Sequence, residues 1–202
     1  MSKLLLGTGT RRNPYELHRT LWRCFPDQPE ATRDFLFRVE AHHHTRAVPI
    51  LMLSHRAPTS NSNEVQLLAT RAFAPVVHAG MRLRFRLRAN PIKTISDGNG
   101  RVRAQGKHAG QVKSCRVPLL SDAQRGEWLE RKVLGAAQVC MLDIAPDPQL
   151  RFDKKGSEGK IATVLFDGQL IVTEPTAFNR LLSEGIGPAK AFGCGLLSIA
   201  PA

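Results

Sequence analysis

Residues 82–88 read Arg-Leu-Arg-Phe-Arg-Leu-Arg, and only an extended strand gives that alternation a consistent environment. Successive side chains of a strand point to opposite faces, so Leu83, Phe85 and Leu87 share one face and Arg82, Arg84, Arg86 and Arg88 share the other. The apolar face must be covered. The basic face spaces four guanidinium groups at intervals of roughly 6.8 Å, twice the strand rise. That interval is close to the separation of successive phosphates on an extended or A-form nucleic-acid backbone. Like charges at i and i+2 repel one another without a partner, so the row reads either as a solvated strand face or as a surface that contacts phosphates.

The rest of the charge leans the same way. The 202 residues carry 29 Lys and Arg against 17 Asp and Glu, a formal net charge of +12. Residues 82–116 alone hold ten basic side chains and one acidic one, so nine of the twelve net charges fall in this segment. Concentrated like charge destabilises a compact chain, and a polyanion such as nucleic acid is the partner that offsets it. With 42% apolar and 23% charged residues, the chain is composed like a folded protein rather than a disordered tail. No apolar run approaches the roughly 18 residues of a membrane span. Leu4–Leu6 is too short for a signal-peptide core, and Arg11 and Arg12 follow it where a signal needs positive charge first. No membrane partner is expected, and a cytoplasmic location is. Cys24, Cys115, Cys140 and Cys194 form no C-x-x-C pair, which argues against a zinc ribbon or a disulfide scaffold. His42-His43-His44 falls at a predicted hairpin tip with no Cys or carboxylate cluster nearby, and reads as a solvated turn. Neither a metal nor a cofactor is expected.

Periodicity supplies the elements. Lys3–Gly7 reads as a strand. Asn13-Pro14-Tyr15-Glu16 has the chemistry of a helix start, and Leu17, Leu21, Cys24 and Phe25 then recur at helical spacing until Pro26. Asp34–Glu40 and Val48–Ser54 are strands, Ala57–Asn63 a loop, Glu64–Phe73 a short helix and Met81–Ala89 a strand. Strand, helix, strand, strand, helix, strand is the ferredoxin-like order and the skeleton of the RNA-recognition module. Residues 91–116 read as an irregular basic segment and Ser121–Val139 as a helix. Strands are expected at Val139–Ile144, Gln149–Asp153, Ile161–Phe166 and Gln169–Thr173, the last two joined by a hairpin turn at Asp167-Gly168. Pro175–Glu184 is a helix and Cys194–Ala200 the final strand. The expected fold class is therefore α+β, with two ferredoxin-like, RNA-recognition-module-like domains in tandem. The first spans 1–90 and carries a candidate catalytic helix. The second spans 91–202 and rests on element order alone, since no repeat is visible between the halves.

Three further groups of residues carry potential chemistry. Tyr15, the single tyrosine, and His18 lie one helical turn apart, so both side chains can approach one substrate atom. They read either as an ordinary boundary pair or as an acid–base pair, histidine being the side chain that exchanges protons near neutral pH. Lys154 to Lys160 forms a basic tip with two glycines, a mobile hairpin or a finger able to enter a nucleic-acid groove. Gly185 to Gly195 holds four glycines around Lys190. It follows a helix and precedes a strand, so it is no nucleotide P-loop. Its glycines serve either a connection with several positive φ angles or a backbone approach to phosphate.

Taken together, the segments Tyr15 to Pro26, Arg33 to Phe37, Phe85 to Thr94, Cys115 to Leu119 and Gly185-Ile-Gly187-Pro-Ala-Lys190 through Gly195-Leu-Leu-Ser resemble, in the same order, the CasE family. These are the CRISPR repeat-processing endoribonucleases of type I-E systems. The resemblance spans about Tyr15 to Pro201, with 1–12 and 41–81 matching only loosely. It implies two ferredoxin-like domains, a metal-independent cut at the 3′ base of the CRISPR repeat hairpin, and retention of the mature guide RNA with the other subunits of the Cascade complex. It carries the catalytic histidine onto His18 and the helper tyrosine onto Tyr15, and favours the Lys154 to Lys160 hairpin as the element that meets the RNA stem. The expected RNA-binding set is Arg33, Arg84, Arg86, Arg88, Lys93, Arg101, Arg103, Lys107, Lys113, Arg116, Lys154, Lys155, Lys160, Gly187, Lys190 and Gly193. A rival with the same charge and fold is a non-catalytic RNA-hairpin-binding subunit of a ribonucleoprotein. Tyr15 with His18 separates the two, because a pure binder has no need of a histidine there.

Overall fold

The computed structural model describes residues 1–7, 14–25, 34–40, 47–60, 64–105, 109–154 and 157–202. The first unit runs β1 (Ser2–Leu6), α1 (Pro14–Trp22), β2 (Phe35–Val39), β3 (Val48–Ser54) and β4 (Val65–Thr70). Its strands form an antiparallel sheet in the order β2-β3-β1-β4. Leu4, Leu6, Phe35, Phe37, Ile50 and Met52 line the buried face of this sheet, and α1 closes it with Leu21. The second unit starts at β5 (Arg82–Ala89) and continues through β6 (Ile92–Ser96), β7 (Ser114–Pro118), α2 (Asp122–Val133), β8 (Ala137–Pro146), β9 (Leu150–Lys154), β10 (Ser157–Ile161), β11 (Val164–Val172), α3 (Pro175–Glu184), a 3-10 turn (Lys190–Phe192) and β12 (Leu197–Pro201).

Two of its strand pairs, β6-β7 and β9-β10, are separate two-stranded hairpins. Without them the second unit reads β5-α2-β8-β11-α3-β12, with sheet order β12-β5-β11-β8. Numbering the four sheet strands of each unit in turn gives the order 4-1-3-2 in both, which is the ferredoxin-like arrangement. Leu83, Phe85 and Leu87 of β5 pack under Trp128 and Leu129 of α2 and Phe178 of α3, so the alternating segment is the strand its pattern requires. Ser121 caps α2 by accepting from the Gln124 amide at 3.3 Å, and the Glu174 carboxylate caps α3.

Four expectations need correction. Glu64–Phe73 is not a helix: Val65 and Leu67 alternate inward with period two, and the segment pairs with β1 from Ser2↔Thr70 to Leu6↔Val65. The first unit thus completes its sheet without a helix between β3 and β4 among the described residues. The strand at 82–89 is not the fourth strand of the first unit but the first strand of the second, paired with β11 and β12. Asp167-Gly168 is no turn. It sits inside the continuous strand β11, where a Cβ on Gly168 would lie 2.1 Å from the Met141 carbonyl oxygen and 3.0 Å from the Phe85 ring. Glycine is there because neighbouring backbone and ring close over it. The 91–116 segment, expected to be irregular, instead supplies, among its described residues, β6 and most of its partner β7, extended outward by a bridge between Val102 and Val112.

Replacing Gly168 with valine is expected to destabilise the fold by about 3 kcal/mol, the upper end for overpacking against atoms that cannot yield. Gly98→Ala, with nothing within 4 Å of the added carbon, should move the urea midpoint little. Equal midpoints for the two variants would contradict this packing.

Candidate functional site

Helix α1 begins at Pro14, whose fixed φ suits a first helical position. Glu16 lies in the first turn and Arg19 in the last, each complementing the helix dipole. With Leu21 committed to the core, Tyr15 and His18 fall along the border of the buried face, and both are half-buried. The His18 ring lies 5.7 Å from the Phe35 ring and meets Trp22 edge-on at 6.2 Å. Phe35 is itself stacked on Phe25 at 5.4 Å, and the Arg56 guanidinium covers Phe25 at 5.0 Å. Arg56 is held by two hydrogen bonds to Asp34, 2.7 and 3.2 Å, next to Phe35 in the chain. The hydrogen bonds from Arg56 hold the Asp34 carboxyl below its ordinary pKa. The bed of His18 is thus fixed at one end by an ion pair.

The second unit reaches α1 through the 185–195 loop. Gly185 (φ +76°) leaves room for Leu36, which would lie 2.8 Å from an added Cβ, and Gly193 (φ +80°) leaves 3.1 Å to the Phe37 ring. Strand β2 therefore lies directly on the loop. The 3-10 turn between these glycines presents Phe192 to Tyr15, ring centroids 5.2 Å apart. Arg38 secures the contact: its buried guanidinium donates to the carbonyls of Arg86 (3.2 Å) and Leu196 (3.4 Å) and pairs with Glu40 at 2.8 Å. Burial lowers the Arg38 pKa, with Glu40 opposing the shift. Several loop amides already have backbone partners: Ile186 donates to Gly195, Gly193 to Lys190, and Gly195 to Arg88 of β5. Gly187 (φ +79°) packs under Trp128, 2.8 Å from an added Cβ. Packing and positive φ account for these glycines, and Lys190 Nζ donates to the Glu184 carbonyl at 2.6 Å.

The expected basic residues fall into distinct places. Arg84, exposed, donates to the Pro201 carbonyl at 2.9 Å. Arg86 makes two hydrogen bonds to Asp167, 2.7 and 3.0 Å, which raises its pKa. Arg88 is buried and pairs with Asp147 at 2.6 Å, and Asp147 also accepts from Thr163. The arginine row is therefore partly neutralised from within. Lys93, Arg101, Arg103, Lys113 and Arg116 lie on the β6-β7 arm, Arg101 paired with Asp97 and Arg103 donating to the Ser114 carbonyl. Lys154 ends β9 and exposed Lys160 lies on β10, opposite Arg151. Two like charges directly across a two-stranded ribbon destabilise it unless an anion sits between them. Arg33, Lys107, Lys155 and His42–His44 lie outside the described residues.

The sequence reading missed Phe152, whose ring meets Tyr15 at 5.5 Å and Phe192 at 5.1 Å. The glycine opposite it, Gly159, becomes visible only once the β9-β10 register is known. It also missed Asp147 and Asp167 as counter-ions. Among the described residues no helix is long and apolar enough to cross a membrane.

A family model described as CRISPR associated protein matches residues 4–201. The chain is 41% identical to the CRISPR system Cascade subunit CasE of Escherichia coli K12, covering all of this chain and 98% of that one. It is 33% identical to the CRISPR-associated endoribonuclease Cse3 of Thermus thermophilus, covering all of this chain and 99% of that one. Among solved structures, Thermus thermophilus Cse3 bound to an RNA representing a pre-cleavage complex aligns over the whole of both chains, with a TM-score of 0.75 at 31% identity.

The Asp34–Arg56 pair under the histidine makes a pH-dependent contribution. Because the folded pKa of Asp34 is depressed, the contribution is full above the unfolded carboxyl value of about 3.9 and fades as pH falls through the folded value. Wild type and Asp34→Asn should differ in urea midpoint at pH 7 and converge as pH drops from about 5 toward 3. A difference that stays constant across that range would show that the pair is not the source.

Proposed function

The chain belongs to the CasE and Cse3 family of CRISPR associated proteins, and from that premise we propose that it is an endoribonuclease that processes precursor CRISPR RNA. It cuts at the 3′ base of the repeat hairpin and keeps the mature guide RNA as a subunit of Cascade, in the cytoplasm. The observation that carries this reading is the placement of Tyr15 and His18, one turn apart on α1, where the loop and the base of the basic β9-β10 hairpin meet the helix. Binding alone does not call for a histidine and a tyrosine at such a junction.

RNA brings its own nucleophile. The 2′-OH beside the scissile bond attacks the adjacent phosphorus in line, passing its proton to solvent as the new P–O bond forms. The bond to the 5′-oxygen breaks, and His18 in its protonated form donates a proton to that leaving oxygen. The products are a 2′,3′-cyclic phosphate and a 5′-OH. Tyr15 either orients the 2′-OH or holds the imidazole in line. Charge gathering on the non-bridging oxygens is met by basic groups of the hairpin and loop, with Lys154, Lys155, Lys160 and Lys190 as the candidates. The attacking oxygen belongs to the substrate, so the reaction requires no metal-bound water. The remaining basic residues of the arm and of the exposed sheet face follow the RNA backbone, whose phosphate contacts give affinity and register.

Incubation with the repeat RNA of the host's own CRISPR array tests this directly. Cleavage is expected in excess EDTA, and a 2′-deoxy nucleotide at the cut site should abolish it while leaving binding intact. His18→Ala should slow the cut at least ~100-fold, a typical general acid–base contribution, with RNA affinity nearly unchanged. Wild-type cleavage by that variant would remove His18 from the site, whereas binding with no cleavage by the native protein would leave an RNA-hairpin-binding subunit as the correct description.

A further inference from the structure

Phe152 lies on β9 directly opposite Gly159 of β10. A Cβ on Gly159 would fall 2.1 Å from the ring Cζ and 2.4 Å from Cε2. The Phe152 ring is therefore folded flat across the glycine backbone. From there it meets Tyr15 edge-on, centroids 5.5 Å apart with planes at 70°. It also lies 5.1 Å from Phe192, which itself meets Tyr15 edge-on at 5.2 Å and 85°. Three rings from α1, β9 and the 3-10 turn close a triangle with Tyr15 as one corner. Edge-to-face packing of this kind favours a defined mutual orientation as well as burial. Any side chain at 159 displaces the Phe152 ring and opens the triangle.

We propose that Phe152 is a positioning residue for RNA cleavage: it fixes the Tyr15 ring and couples the seating of the basic β9-β10 hairpin on RNA to the assembly of the cleavage site. This rests on the functional reading above. The hairpin that carries Phe152 also carries Arg151, Lys154 and Lys160, so an RNA stem that pulls on these groups acts within two residues along β9, or one neighbouring pair across the ladder, of the ring that touches Tyr15. Gly159 serves the coupling by leaving the ring a flat backbone to lie on. A misplacement of about 1 Å at a reacting group costs up to about 100-fold in rate, so loss of one corner of the triangle should appear in the chemical step.

The test uses the full chain, the repeat hairpin RNA and single-turnover rates at saturating protein. Phe152→Ala should slow the saturated rate about 10- to 100-fold while hairpin affinity changes less than about 3-fold, and Phe152→Tyr, which keeps the ring, should restore the rate. Gly159→Ala, which keeps Phe152 but displaces it, should reproduce the slow rate. Tyr15 is the only tyrosine in the chain, so 3-fluorotyrosine labels that position alone. Its fluorine resonance should move when uncleavable 2′-deoxy hairpin binds the wild type, and move less than half as far in Phe152→Ala and Gly159→Ala. A wild-type saturated rate in both variants overturns the proposal. So does a loss confined to affinity, or a slow rate that accompanies an unchanged fluorine response. His18→Ala in the same assay separates the two claims: if it is fast, the placement of the cleavage site at Tyr15 and His18 fails; if it is slow and Phe152→Ala and Gly159→Ala are fast, only the positioning role fails.

Discussion

The contact between strand β2 and the 185–195 loop is the constraint on which the site depends. Leu36 and Phe37 occupy the space that side chains at Gly185 and Gly193 would take, and both glycines sit at positive φ. Only that combination lets a connection from α3 to β12 lie flat on the first unit. The loop then delivers Phe192 to Tyr15. Arg38 makes the arrangement specific, since its guanidinium bridges two carbonyls of the second unit while its charge stays paired with Glu40. Removing one partner of such a buried pair strands the other in a poorly solvated place. The same strand carries Phe35 beneath His18, so the two candidate catalytic side chains are set by the two faces and one end of β2 and by what rests on it.

Charge is distributed in a way that composition alone conceals. Arg86 and Arg88 have carboxylate partners in Asp167 and Asp147, and Arg88 would have to leave a buried pair to reach a phosphate. By contrast, Arg151 and Lys160 oppose each other on the β9-β10 ribbon, and Lys93 and Arg116 are exposed on the β6-β7 arm. None of these four has an ion-pair partner among the described residues. Arg82 and Arg84 of the sheet are likewise exposed without an ion-pair partner among the described residues. An RNA duplex approaching the second unit therefore finds available cations on both two-stranded ribbons and on one end of the sheet face. A projecting ribbon can enter a deep groove, whereas a sheet face can only line a backbone.

Local pattern was legible where one force decided the outcome. The alternation at 82–88 could only be a strand, Pro14 and the apolar spacing fixed α1, and Pro175 opened α3. Helical geometry alone places Tyr15 and His18 one turn apart. Sheet membership was not legible, because β5 pairs with residues 75 to 118 positions further along. Asp167-Gly168 carried a turn signature, but tertiary packing used its glycine for close approach and its aspartate as a counter-ion. Glu64–Phe73 showed helical residues whose inward period proved to be two, set by the unpaired edge of β1. Phe152 had no motif at all: its meaning came from a cross-strand glycine and from two rings brought in by α1 and the loop.

The most direct test of the central claim is a structure of the protein with a repeat hairpin carrying a 2′-deoxy nucleotide at the cut site. The scissile phosphate is expected within hydrogen-bond reach of His18, with the Tyr15 ring still bracketed by Phe152 and Phe192 and the stem held by the β9-β10 hairpin. A scissile phosphate bound instead along Arg84 and Arg86 on the sheet face, away from α1, would contradict it.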